Sequence, residues 1–363
     1  MTGSDAFQPS GWKVPALALA RWTALLMGWV WLGQQGQRLS WSLASGLVAV
    51  ALWWTVRLLV AQRPGWRINS SRSSLLALGL VTAGGATALA QTQAGAPAIA
   101  GLLALAAVWG GWTAAMDHHS LATQRCQRPW AGWPPVLAAL ATWSAVGASA
   151  TPSTQSLIAG GVLLGAAALA WMATPEHAPA ASRPGTGRVL TSSLPATAMG
   201  CMMGSLWLSN AWCTSVGWSS HTVVGLHLGL MAIMPALVRM EGLPRHLPPM
   251  ARQLLPLIGV AMGGGLLWSG QTLAHGLVGM LLLALSWSMP RQTEAPSPCQ
   301  GWQPCAPFLG PVLLLAVGHW SPSTGPDALA WVYGLLAAWA LVLALRCAQQ
   351  GSAAPRQPTR PLH

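Results

Sequence analysis

Long apolar stretches separated by short polar breaks run through almost the whole chain. Twelve of them approach the ~20 mostly apolar residues that a bilayer-crossing helix needs: 14–33, 41–60, 74–90, 97–116, 133–150, 156–173, 194–214, 220–238, 252–270, 272–289, 307–320 and 328–346. The ninth and tenth nearly touch, and the eleventh is short. The strands of a transmembrane barrel would alternate apolar and polar every second residue, and these stretches do not. The pattern therefore predicts an all-α polytopic membrane protein of about twelve transmembrane helices.

The breaks carry a second pattern. Counted in order, the even loops and the two tails hold nearly all the bases: Arg57, Arg63, Arg67 and Arg72, then Arg125 and Arg128, Arg183 and Arg188, Arg239, Arg245 and Arg252, and Arg291, with Lys13, Arg346, Arg356 and Arg360 in the tails. All but two of the 18 Lys and Arg thus fall on one side. The exceptions are Arg38 in an odd loop and Arg21 inside the first span. Cytoplasmic loops are enriched in Lys and Arg, so both termini are expected in the cytoplasm. A cleaved leader is not expected, because removing the first span would reverse the parity. The expected location is a bacterial-type inner (cytoplasmic) membrane, with the lipid bilayer as the principal partner.

The apolar stretches also repeat. Residues 75–85 align with 254–264, pairing Leu75 with Leu254, Leu78 with Leu257, Val81 with Val260, Gly84 with Gly263 and Gly85 with Gly264, a separation of 179 (254 minus 75). Gly101 and Trp109 pair with Gly279 and Trp287 at 178 (279 minus 101), and Pro135 pairs with Pro311 at 176 (311 minus 135). Gln91-Thr92 matches Gln271-Thr272, and Val56-Arg57 matches Val238-Arg239. Six spans per half is an even number, so both halves enter the membrane with the same polarity. The expected organisation is a six-helix bundle over 1–173, a cytoplasmic linker at 174–193, a second six-helix bundle over 194–350 and a disordered tail at 351–363.

Parallel six-helix repeats are the plan of the major facilitator transporters, and the loop after the second span carries a further likeness. That family has a motif there of the form Gly-x-x-x-Asp-Arg-x-Gly-Arg-Arg. The chain reads Ala61-Gln62-Arg63-Pro64-Gly65-Trp66-Arg67, so Arg63, Gly65 and Arg67 fit while Gln62 replaces the acid. In this respect the chain resembles a divergent major facilitator. The resemblance implies a gating role for Arg63, Gly65 and Arg67, altered by the missing Asp that helps hold the halves together in the family.

Composition narrows the function classes. With 53% hydrophobic and 7% charged residues and a mean hydropathy of +0.47, the chain falls far below the ~25% charged residues of soluble domains. A soluble enzyme, a disordered chain and a nucleic-acid binder are excluded, although the net charge is +12. The 6 Asp and Glu (Asp5, Asp117, Glu176, Glu241, Glu294 and Asp327) fall in loops, tails or span edges. No carboxylate pair serves general acid–base chemistry, and no phosphate-binding loop or acid cluster holds Mg²⁺. An enzyme is not expected, nor is carboxylate-based ion coupling.

What chemistry remains is sparse. The 23 Trp stand beside 2 Phe and 1 Tyr. Trp12, Trp41, Trp109, Trp112, Trp133, Trp171, Trp218, Trp268, Trp287, Trp320 and Trp331 lie near span ends, where indole rings favour the interface. Trp22, Trp29, Trp31, Trp53, Trp54 and Trp339 lie deeper and are candidates to line a cavity. Arg21 in mid-span, with Trp29, Trp53 and His227, forms the candidate substrate-binding set, although snorkelling also accounts for Arg21. His221, His275 and His319 approach the outer surface from different spans. They are candidate ligands for haem, a chlorophyll-type pigment or copper, or simply polar contacts between helices. His221 and His227 point apart on a helix, being six residues separated. Asp117, His118, His119 and Cys126 fit no zinc spacing. Cys299 and Cys305 fall in a cytoplasmic loop, where reduced thiols rather than a disulfide are expected. Gly161-x-x-x-Gly165, Gly200-x-x-x-Gly204 and Gly225-x-x-x-Gly229 permit close helix contacts. The expected function is a permease-like carrier of a small apolar or weakly polar solute. The alternatives are a cofactor-binding or assembly protein, and a scaffold subunit of a larger membrane complex.

Overall fold

The computed structural model describes residues 12–38, 43–62, 71–92, 95–123, 133–147, 152–174, 225, 228–230, 248–269, 272–288 and 325–353. Within them the chain forms α1 (Lys13–Arg38), α2 (Leu43–Gln62), α3 (Arg72–Ala90), α4 (Ala96–Thr123), α5 (Trp133–Gly147), α6 (Pro152–Ala173), α7 (Pro249–Ser269), α8 (Leu273–Ser288) and α9 (Gly325–Ala353). No strand occurs among the described residues. The expected spans at 194–214 and 307–320 and the linker at 174–193 lie almost wholly outside them, and the span at 220–238 is described only at 225 and 228–230.

Local sequence sets the helix limits. Pro97, Pro134, Pro152, Pro249 and Pro326 sit in first turns, where a missing N–H costs nothing. Ser71 caps α3, its hydroxyl accepting from the Ser74 N–H at 3.2 Å. Pro256 lies inside α7 and withholds a donor from the Arg252 carbonyl one turn back. Four helical segments (Lys13–Leu32, Arg72–Leu89, Ala96–Met116 and Thr154–Ala173) are long and apolar enough to cross a membrane on their own. The protein is a multi-pass membrane protein.

In the first half α1 packs on α4, α5 and α6, α2 packs on α4, and α3 lies between α4 and α6. In the second half α7 lies between α8 and α9 in the same way. Side-chain detail extends the likeness. Leu105 fills the space at Gly85, and at Gly263 the Gly279 carbonyl comes nearest, with Leu282 and Leu283 beside it; Leu89 lies against Gly101, and Leu267 against Gly279. All four pairs of equivalents are separated by 178 residues (263 minus 85, 283 minus 105, 279 minus 101, 267 minus 89).

The structural register of α3 and α7 is therefore 178, one residue from the sequence alignment. At 178 no position buried in one half is exposed in the other between 76–89 and 254–267. At 179 the pairs Ala77 and Pro256, Gly79 and Ile258, Val81 and Val260, Ala83 and Met262, and Gly84 and Gly263 all conflict. A one-residue slip turns a helix by about 100°, so the aligned glycines Gly84 and Gly263 face different surroundings. Similarly, buried Ser156, Ala159, Leu163 and Ala167 of α6 match buried Tyr333, Leu336, Ala340 and Ala344 of α9 at 177 (333 minus 156).

The small-residue contacts also differ from expectation. Nothing approaches Gly161 or Gly165, which are exposed on α6. Their neighbour Gly160 makes the close approach, against Thr87 and the Ala83 carbonyl of α3. At the basic end, Arg72 ties α3 to α6: its Nε donates to the Trp171 carbonyl at 2.7 Å, and its guanidinium lies 4.9 Å from the Trp171 ring. A second, longer bond runs from Nη2 to the Met172 carbonyl at 3.4 Å. Cations at a helix C-terminus satisfy its last carbonyls and its dipole together.

Candidate functional site

Three tryptophans from three helices meet inside the first bundle. Trp53 of α2 stacks on Trp109 of α4, with ring centroids 5.0 Å apart and planes at 29°. Trp29 of α1 meets Trp53 edge-on at 5.7 Å and Trp109 at 6.0 Å. Two glycines make this possible. A Cβ on Gly28 would fall 2.5 Å from the Trp109 indole, and one on Gly110 would fall 2.5 Å from the Trp53 carbonyl oxygen. The Trp109 indole N–H donates to the Ala24 carbonyl of α1 at 2.9 Å, and the Thr113 hydroxyl bonds back to the Trp109 carbonyl at 2.9 Å.

This geometry revises the reading of the tryptophans. Trp109 and Trp112, expected as interfacial anchors, are 2% and 0% exposed. Trp112, one turn further along α4, packs over Gly79 of α3. Trp29 and Trp53 are equally closed to solvent, so in this conformation they form a packed core. Trp339, expected deep, is exposed on α9, whereas Trp12, Trp133, Trp171 and Trp268 are exposed near helix ends as anchors would be. An apolar ring is equally at home facing lipid or core, so hydropathy alone does not separate the two.

One functional candidate escaped the sequence pattern. Arg57, counted there as a loop base, lies within α2 and is 5% exposed, its guanidinium 5.3 Å from the Trp53 ring. Arginine does not lose its proton in proteins, so a permanent positive charge adjoins the aromatic cluster. The cue was available: the expected second span, 41–60, already contained Arg57. Arg21 is half-buried on α1 with its guanidinium 5.6 Å from the Trp22 ring. Both charges rest on indole faces, whose quadrupole attracts cations.

Other predicted residues are not brought together. His275 is exposed at the start of α8, where its Nδ1 lies 2.5 Å from the Thr272 hydroxyl, and the same hydroxyl caps its backbone N–H at 3.5 Å. His221, His227 and His319, and the loop residues Arg63, Gly65 and Arg67, lie outside the described residues. Among the described residues no group of three or more His, Cys, Asp or Glu is arranged to hold a metal ion. A separate buried polar cluster joins α1 to α6: Gln35 Nε2 and Trp31 Nε1 both donate to Ser156 Oγ, at 2.7 and 3.3 Å.

No protein-family model matches the sequence, and no curated protein matches it. Solved structures do match in fold. The nucleoside transporter NupG superimposes with a TM-score of 0.62 at 12% identity, covering 94% of this chain and 98% of that one. The POT family transporter PepTSo gives 0.60 at 12% identity, with 95% and 98% covered. The human organic anion transporter MFSD10 (TETRAN) gives 0.57 at 14% identity, with 93% and 100% covered. The fold is the major facilitator fold. The matches span nearly the full length of the chain and of each transporter.

Proposed function

We propose that the chain is a carrier that moves a small, weakly polar organic solute across the membrane between its two halves. The observation that carries the reading is the full-length match to the fold of three transporters, together with an internal repeat visible in side-chain packing. The halves are 1–173 and 194–350, joined by a cytoplasmic linker at 174–193 and followed by a tail at 351–363, with both termini in the cytoplasm of a bacterial-type inner membrane. Arg63, Gly65 and Arg67 gate the cytoplasmic side.

The substrate-facing set is Arg21, Trp29, Trp53 and His227, to which Arg57 is added. Trp29 and Trp53 reach solute only when α1 and α2 part from α4. The substrates named for two neighbours, a nucleoside and an organic anion, and the two guanidiniums on α1 and α2 favour the polar end of the range over purely apolar solutes. With the sequence placing all its acids in loops, tails or span edges, transport is independent of carboxylate protonation.

The test is flux into proteoliposomes holding the purified full-length chain, with nucleosides and small carboxylates as labelled probes, with and without a proton gradient. Saturable uptake insensitive to the gradient is expected. Absence of saturable uptake for every probe would sink the carrier reading, and strict dependence on a proton gradient would overturn uncoupled transport.

A further inference from the structure

Arg57 does not snorkel. It lies five residues (62 minus 57) from the end of α2 at Gln62, about 7.5 Å at 1.5 Å per residue, and an arginine so placed can extend to the interface. Instead the side chain is buried, and its guanidinium turns back over Trp53, one turn further from the base-rich end. The charge is thus carried into the bundle, toward the layer formed by Trp29, Trp53 and Trp109. Arg21 stands on the same side of that layer. Trp29 meets Trp53, so Arg21 is eight residues (29 minus 21), about 12 Å, and Arg57 four residues (57 minus 53), about 6 Å, to the base-rich side of the contact.

Burial along α1 changes at Arg21. Most residues from Lys13 to Trp22 are half-buried, whereas every residue from Thr23 to Leu32 is buried. A solute entering along these helices from the base-rich end meets Arg21 first, Arg57 next and the tryptophans last.

Acids are too few to cancel the two charges. Between residues 13 and 173 the chain holds a single acid, Asp117. Glu176, Glu241, Glu294 and Asp327 fall outside the apolar runs of the remainder. Whatever else the two guanidiniums bond, one carboxylate cancels one of them at most, and a net positive charge remains within the spans. Charge in apolar surroundings is costly, and a positive site favours a solute of opposite sign and disfavours a cation. The guanidinium fork matches the paired oxygens of a carboxylate, while the indole attracts the same cation through its ring face. The two contacts use different parts of the group.

We propose that the solute of this carrier is a small organic anion, drawn in at Arg21 and held at Arg57 beside Trp53, and that it crosses with its charge. The inference rests on the carrier reading and narrows its solute to one class. With no acid in the apolar runs to carry a compensating proton, each monoanion moved transfers one negative charge.

The experiment uses the full-length chain in proteoliposomes, with labelled small carboxylates and sulfonates set against their neutral amides and sulfonamides. Anions are expected to enter about tenfold faster than their neutral counterparts. An inside-positive potential is expected to speed anion uptake and an inside-negative one to slow it. At 100 mV a monoanion should accumulate about 50-fold, the equivalent of ~2.3 kcal/mol. Arg57→Gln is expected to raise the half-saturating anion concentration about tenfold, and Arg57→Lys to recover part of the loss. Arg21→Gln, which serves if Arg57→Gln does not fold, is expected to act in the same direction. Uptake that favours the neutral probes, or that ignores the sign of the potential, overturns the proposal, and so does unchanged anion affinity in both glutamine variants. Quenching of tryptophan fluorescence by the same probes separates the two readings. Anion binding that Arg57→Gln weakens, without uptake of any probe, defeats the carrier and keeps the anion site. Uptake of neutral probes without anion binding defeats the anion site alone, and neither uptake nor binding defeats both.

Discussion

At the scale of single residues, glycine decides what the tryptophans do. Trp29, Trp53 and Trp109 pack together because Gly28 and Gly110 leave room for an indole and for a neighbouring backbone. The neighbour at Gly110 is the Trp53 carbonyl, which does not rotate aside, so Gly110→Ala is expected to destabilise the protein by about 1–3 kcal/mol, as overpacking does. A fall in Tm of the detergent-solubilised protein reports it; an unchanged Tm would mean that α2 and α4 do not meet there. Gly84 has open space around it, so Gly84→Ala is expected to be neutral or to stabilise by up to ~1 kcal/mol through helix propensity. Arg72 acts by geometry as well as charge. Arg72→Ala is expected to cost about 1 kcal/mol, the scale of a partly exposed charged hydrogen bond. Arg72→Lys should recover only part of it, since an ammonium lacks the planar fork. Full recovery in a thermal melt would reduce Arg72 to a point charge.

At the scale of elements, the repeat is a matter of register. The sequence shows a glycine pair in both halves and aligns Gly84 with Gly263. The structure aligns Gly85 with Gly263, because these two face the leucine of the following helix. Identity matching favoured the wrong register since Leu, Gly and Val are abundant on every face of these helices. The two registers predict different behaviour. Gly85→Leu and Gly263→Leu are each expected to lower the folded yield on size-exclusion chromatography, while Gly84→Leu is expected to be tolerated. Similar losses for Gly84→Leu and Gly263→Leu would restore the sequence register. Arg57 shows the same effect of scale: its charge marks it as a loop residue, whereas the length of α2 and the Trp53 face hold it within the helix.

At the scale of the whole molecule, the charge pattern predicts an orientation. The base-rich loops and the ends of the helices are consistent with one assignment, in which Ser73 lies at the cytoplasmic end of α3 and Thr92 just beyond its outer end. In intact cells, with native cysteines replaced, a membrane-impermeant maleimide is expected to label Thr92→Cys and to spare Ser73→Cys. The reverse result would invert the topology. The two arginines differ in how far the sequence alone marked them. Arg21 was visible as a charge in an apolar span, but Arg57 acquired its place only when Trp53 lay beneath it.

The sequence alone determined that the chain is helical and membrane-spanning, roughly where most of the described spans begin and end, and that its bases are segregated. Those properties depend on the length of apolar runs and on the cost of moving charge into lipid, both written locally in the chain. Which tryptophans form core and which face outward, which glycine is a contact, and the one-residue register of the repeat were decided by the tertiary structure alone. Lipid and protein interior are about equally apolar, so hydropathy does not distinguish a buried face from a lipid face. Only the fit of large side chains against small ones does so, and that fit exists only once the helices are packed.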